Sequence, residues 1–178
     1  MRDIARTAGM SQSNLHYHFD SKTKLYDALL DKIDEDWFKE TRKRAINKDC
    51  DATEKLRLLL EEEMIYMQDH LDFYITYNDF SIHASSNENY RKRILKIYAN
   101  WRTDLEAVMA EILEDQDQDI REAKNAASMF IYLVEGISSQ YIISPNTINL
   151  QDEFEKAYEM LQCFLASRPA NIPSITRK

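Results

Sequence analysis

"IARTAGMSQSNLHYHFDSKTKLYDALL" runs from residue 4 to residue 30 and crowds Ser, Gln, Asn, Tyr and two His into a few turns, then adds two lysines. Gly9 is one of only two glycines in 178 residues. It stands just past a predicted first helix over 2–7, where the chain needs a positive φ that glycine adopts without steric cost. Ser11 is placed to cap a second helix over 12–18, because its oxygen can accept from a free N–H of the first turn. Asp20 and Ser21 are placed to do the same for a third helix, predicted over 22–47. Leu15 and Phe19 share one face of the second helix, and Ile4 and Ala8 share a face of the first. These four are expected to pack together across the Gly9 turn. Ser13 and Tyr17 then point outward, flanked by Asn14 and His16, with Gln12 and His18 at the two ends.

Side chains that both donate and accept, on a short exposed helix, suit base edges and phosphate oxygens. Two helices joined by a tight glycine turn form a helix-turn-helix, whose second helix enters the major groove. The lysines fit the same picture. Lys22 and Lys24 fall in the first turn of their helix, where the macrodipole disfavours a cation by about 0.3–1 kcal/mol. A phosphate at that terminus reverses the sign, since free N–H groups and an ammonium both favour it. Lys22 is read as a phosphate contact. Lys24 stays open between that role and a solvated lysine.

At these residues the sequence resembles the TetR/AcrR transcriptional regulators, whose signature runs from an "IA..AG.S" turn into "LY.HF.SK..L". Here it stands as Ile4-Ala5, Ala8-Gly9, Ser11, Leu15-His16, His18-Phe19, Ser21-Lys22 and Leu25. The resemblance covers about the first 30 residues. It implies base or nearby phosphate contacts from Gln12, Ser13, Asn14, His16 and Tyr17, backbone anchors at His18 and Lys22, and a further contact at Arg2. His16 departs from the pattern, where Tyr is common. The family also carries a helix ahead of this motif. The chain as given starts inside the family's second helix, so the unit over 1–30 is expected to be incomplete, with Ile4, Leu15 and Phe19 short of cover.

Outward from this stretch, the pattern is helical almost throughout. Apolar residues recur at three- and four-residue spacing, and no alternating strand or hairpin signal stands out. With 44% hydrophobic residues the chain has enough material for a core. Further helices are predicted over 53–70, 71–84, 90–114, 120–143 and 150–167, with breaks at "NKDCDAT", "SSNEN", "DQDQD" and "SPNTIN". The fold class is all-α: a helix-turn-helix unit over 1–30, then a helical ligand-binding and dimerisation domain over 31–167, then a flexible tail over 168–178. The 22–47 helix couples the two mechanically.

Net charge is −8, which taken over the whole chain disfavours a polyanion partner. The sign is uneven, however. Arg2, Arg6, Lys22 and Lys24 face only Asp3 and Asp20 up to residue 26, so a DNA contact belongs at this end. Cys50 and Cys163 show no metal or redox spacing, which fits a reducing, cytoplasmic setting. The longest apolar run, "MFIYLV", is too short to span a membrane.

Catalysis finds little support, and a helical-bundle enzyme is the weaker rival reading. Two glycines cannot build a phosphate cradle of the Rossmann or P-loop kind. His16 and His18 diverge on a helix, and no His-Glu-x-x-His or Glu-x-x-His pair occurs. No enzyme activity, cofactor or metal is expected. The acidic runs "LEEEM" and "EDQDQD" are read as solvated faces and turns.

Eight aromatics lie between residues 64 and 101, five of them tyrosines. Such a stripe is core by default. Buried tyrosine hydroxyls want partners, however, and the resembled family binds a small effector among the helices of this domain. The candidate effector lining is Tyr66, His70, Tyr74, Tyr77, Trp101 and Phe130. Glu135, inside an apolar helix, sits either at an exposed edge or against a polar partner or cationic effector. Gly136 marks a place where two helices approach closely. A homodimer is expected through the last two helices, by Ala123, Ala127, Phe130, Val134, Ile137 and Tyr141 on one and by Phe154, Ala157, Tyr158, Leu161, Phe164 and Leu165 on the other.

These readings converge on a homodimeric transcriptional regulator that reads a palindromic operator in double-stranded DNA, acts as a repressor, and is released by a small-molecule effector. The alternative is a helical small-molecule-binding or interaction protein that does not bind DNA.

Overall fold

The computed structural model describes residues 1–32 and 40–167. Every regular element among the described residues is helical. The chain divides into two compact units, Met1–Glu40 and Thr41–Lys178. The predicted continuous helix over 22–47 is seen as α3 (Lys22–Lys32) and α4 (Glu40–Ile46). Residues 33–39 lie outside the described residues, as does the predicted flexible tail over 168–178.

In the first unit, α1 (Arg2–Thr7) and α2 (Gln12–His18) pack on each other. The turn between them is set by two backbone hydrogen bonds, Met10 N–H to Ala5 C=O at 2.9 Å and Gly9 N–H to Arg6 C=O at 3.2 Å. This paired arrangement satisfies the last carbonyls of α1 and requires a left-handed residue, which Gly9 supplies at φ 68°. A Cβ at Gly9 would meet nothing within 4 Å, so the backbone angle and not crowding calls for glycine. Ser11 then caps α2, its Oγ accepting from Asn14 N–H at 3.1 Å. Ser21 caps α3 in the same way, accepting from Lys24 N–H at 3.2 Å.

The packing corrects one expectation. Ala5, not Ala8, is buried beside Leu15, while Ile4 and Phe19 are only half-buried and Ala8 is exposed. Ala8 is the residue at which the chain leaves the helix for the Gly9 turn. Helical spacing carried forward from Ile4 therefore no longer tells which way its side chain points.

The second unit is built from α5 (Ala52–Asp69), α6 (Leu71–Ala84), α7 (Glu88–Asp115), α8 (Ala123–Ile143) and α9 (Leu150–Ala166), together with α4. Asp51 caps α5 through Glu54 N–H at 2.8 Å, and Asn87 caps α7. α7 packs against α5, α6, α8 and α9. Its Trp101, Leu105 and Met109 are fully buried with Leu56, Leu59 and Met67 of α5 and Phe130 and Ile131 of α8. The "DQDQD" segment ends α7 with the turn seen at Gly9, this time on Asp117 at φ 54°, with Gln118 N–H to Leu113 C=O at 2.8 Å. A short polar side chain tolerates that angle better than most.

Residues 120–143 are long and apolar enough to cross a membrane by length and composition alone. Packing accounts for part of that composition, since eight α8 side chains are buried in the helical body.

Candidate nucleic-acid interface

α2 presents itself to solvent almost whole. Of its seven residues only Leu15 is buried, at 4% exposure. Gln12, Ser13, Asn14, His16, Tyr17 and His18 are all exposed, and Tyr17 reaches 84%. A seven-residue helix is far below the length that is stable alone. Here the Ser11 cap, the Gly9 turn and packing against α1, with Leu15 and Ala5 buried, hold it. The polar side chains are thereby displayed without taking part in that support. The rings of Tyr17 and His18 meet edge to face at 5.2 Å, which orders the C-terminal end of the display.

No acidic residue occurs in α2 or in the first turn of α3. Lys22 and Lys24 are exposed at that α3 start, beside the Ser21 cap. The Lys22 ammonium rides 5.0 Å above the Tyr26 ring centroid, which steers it along the helix surface. Arg2 is exposed on α1. Its Nε lies 4.0 Å from Asp3, and Asp3 also holds Arg6 at 3.4 Å. All eight predicted DNA-contact residues are thus solvent-facing on the first unit, and six of them are carried by α2.

The six candidate effector residues lie apart in smaller groups. Tyr66 stacks on His70, centroids 4.1 Å apart and planes 13° from parallel, and meets Tyr74 at 6.3 Å. His70 is exposed at the junction of α5 and α6. Tyr74 is buried and donates to Glu63 at 3.2 Å. Trp101 meets Phe130 edge-on at 6.2 Å in the centre of the body. Tyr77 is buried, and burial pushes its hydroxyl well above the ordinary range, with Tyr98 and the charge of Glu135 adding to it.

Residues 1–29 match the family model described as "Bacterial regulatory proteins, tetR family". The match takes in α1, α2 and most of α3, so this part of the chain is similar to the tetR-family regulatory proteins. Nucleoid occlusion factors SlmA from Vibrio vulnificus (strain YJ016) and Shewanella baltica (strain OS155) are similar to it, each 22% identical across 89% of this chain and 80% of theirs. A structure solved as that of a candidate transcriptional regulator from Pseudomonas aeruginosa PAO1 superposes with a TM-score of 0.76 at 20% identity. That match covers 93% of this chain and 79% of the other, and shows a shared fold.

The helical body holds two buried ionisable groups that sequence reasoning missed. Glu63, inside the "LEEEM" run read as a solvated face, is 2% exposed. Burial pushes its carboxyl up to about 7, opposed by the charge of Arg42 and the Tyr74 hydrogen bond. Helical phase carries the missed signal: Glu63 follows Leu56, Leu59 and Leu60 and precedes Met67 on one face of α5. Arg42 of α4 is also 2% exposed, with its Nε 3.5 Å from Asp104 of α7. Glu135 is half-buried and accepts a hydrogen bond from Tyr98, so a polar partner accounts for it. Burial raises its carboxyl above the ordinary range, against the Tyr98 hydrogen bond and the Arg102 charge.

The apolar faces expected to pair two subunits turn inward. Ala123, Ala127, Phe130, Val134 and Ile137 of α8, and Phe154, Ala157, Leu161 and Leu165 of α9, are buried within the subunit itself, while Tyr141, Tyr158 and Phe164 are half-buried. Periodicity located an apolar face on each helix but not what covers it. Gly136 likewise serves no close approach inside the subunit, where a Cβ would meet nothing within 4 Å.

Proposed function

We propose that this chain is a TetR-family transcriptional regulator, working as a homodimeric repressor of a palindromic operator and released by a small-molecule effector. The observation that carries the reading is α2. On a chain with net charge −8, an acid-free helix with six of seven side chains exposed stands next to a lysine-bearing helix start. Such a surface is suited to duplex DNA, with Gln12, Ser13, Asn14, His16 and Tyr17 toward the bases or nearby phosphates and Arg2, His18 and Lys22 on the backbone. The unit over 1–30 is the reader, and the helical domain over 31–167 is the sensor, in a cytoplasmic protein.

Dimerisation supplies the second reading helix. Successive major-groove faces recur about every 34–36 Å. The outer faces of α8 and α9 support the pairing: Tyr132 is 63% exposed, Ile143 is 83% exposed and Met160 is 51% exposed, with Gly136 on the same α8 stripe as Tyr132 and Ile143. The glycine there leaves room for a helix of the partner. The effector, held near Tyr66, His70, Tyr74, Tyr77, Trp101 and Phe130, binds more tightly to the population whose reading helices miss the grooves.

The test is a salt-dependent binding titration on DNA from upstream of the protein's own gene, followed by footprinting. A protected palindrome with a steep salt slope is expected; binding equal to that on scrambled DNA rejects the reading. Gly136→Leu should convert the dimer to monomer in sedimentation while leaving the helical signal intact, and an unchanged dimer rejects the interface. A chromosome-wide occupancy map with many dispersed sites, in place of a few near promoters, would favour a role like that in the name of the SlmA relatives.

A further inference from the structure

Away from the reading helix and the aromatic interior, α5 and α9 leave a solvent-open furrow between them. Leu60 and Met64 of α5 and Phe154 and Tyr158 of α9 line a cavity of about 340 Å³ there. Leu60 and Phe154 are buried to 3% and 4% exposure, so its floor is apolar. A second cavity of about 320 Å³ shares Met64 and Gln151 with the first and continues past Gln68 and Asn149. From Arg57 to Gln68 the α5 stripe runs about 16 Å at 1.5 Å rise per residue. That is the length of about five extended residues.

Charge along the furrow is lopsided. Glu61, Glu155 and Glu159 rim the first cavity against a single cation, Arg57. Arg57 is already engaged by Glu54 through two hydrogen bonds of 2.8 Å and by Glu61 at 3.1 Å. Glu155 accepts only from the neutral Gln151 amide among the hydrogen bonds described, at 2.6 Å. The far end offers amides, from Gln68, Asn149 and Gln151, which pair well with main-chain groups.

We propose that this furrow docks a short basic peptide segment of a partner protein. An apolar side chain of the segment seats on Leu60, Met64 and Phe154, its cations meet Glu155 and Glu159, and its backbone runs toward Gln68 and Asn149. Length decides for a chain over a compact small molecule, and the acidic rim rejects nucleic acid.

The probe is a ten-residue peptide with a central Leu-Phe pair flanked on each side by two lysines, added to the full-length protein carrying 13C-methyl methionine. Binding is expected to shift the Met64 methyl, leave the buried Met109 methyl in place, and weaken as salt is raised. Glu155→Lys with Glu159→Lys, both at exposed positions, should weaken binding at least tenfold with DNA binding and thermal midpoint unchanged. Replacing the four lysines by Glu, or Leu-Phe by Ser-Ser, should weaken it as much. A still Met64 methyl at millimolar peptide overturns the proposal. So does undiminished binding of the Ser-Ser peptide, which would mean charge alone. Benzyltrimethylammonium binding as tightly as the peptide would assign the furrow to small cations, and a changed mass in solution for the double variant would assign it to a second copy; either result also overturns it.

Discussion

Set α2 beside α8. Both are regular helices, yet α2 buries one side chain of seven, while α8 buries eight of 21 and supplies much of the core with them. In α8 many residue identities answer to neighbours: Phe130 meets Trp101 edge-on, and Ala126 and Ala127 are fully buried. In α2 only Leu15 answers to a neighbour. The other six side chains do little for stability, so their chemistry is left for something outside the chain. A helix that forgoes packing and survives on caps is where a ligand is to be sought.

The contrast can be broken by substitution, and the largest effect belongs to the inward helix. Phe130→Ala should cost about 3–5 kcal/mol of stability, read from denaturant unfolding. The fraction that remains folded should bind operator as before. A loss below about 1 kcal/mol would mean α8 is not the packed element described here.

Glu63 gives the next effect, because it belongs with the inward class despite its charge. Its carboxyl sits near 4.5 in an ordinary setting and is raised to about 7 by burial. The folded protein therefore holds that proton more tightly than the unfolded chain does. Glu63's contribution is fully present below about 4.5 and is lost as pH rises through 7. The thermal midpoint should fall between pH 5 and pH 8, and Glu63→Gln should flatten that fall. An unchanged slope in the variant removes Glu63 as its source.

On the outward helix and at the α3 start that follows it, Tyr17→Ala and Lys22→Ala should each weaken operator binding about tenfold, with stability shifted by no more than about 0.5 kcal/mol. Lys22→Ala should also lower the salt slope by about one. Equal losses of stability and affinity would erase the distinction between the two helices. Ser11→Ala is the smallest and sharpest of the set. Losing one cap should cost about 1 kcal/mol locally, seen as faster amide exchange in α2 with α8 unmoved.

Much of the exposed surface of α2 was legible because its determinants are local. Gly9, Ser11 and Ser21 act within a few residues of themselves, and the structure places a left-handed turn and two caps where those residues stand. Asp117 shows the limit. It adopts the same left-handed angle as Gly9, but nothing in "DQDQD" distinguishes it from a plain polar turn. Glu63 shows another. Three adjacent glutamates look alike in sequence, and only the phase of α5 against α6 and α7 buries the third.

Taken alone, the chain of residues determined that the protein is helical, where most helices start and stop, and which short helix faces outward with polar side chains. Those outcomes follow from backbone preferences and hydrogen bonds spanning four residues or fewer. Tertiary structure decided which apolar faces of α8 and α9 are spent inside the subunit, that Ala5 and not Ala8 is buried where α1 and α2 pack, and which acids lose their water. Each of those depends on a neighbour distant in sequence, and helical spacing names a face without naming what covers it.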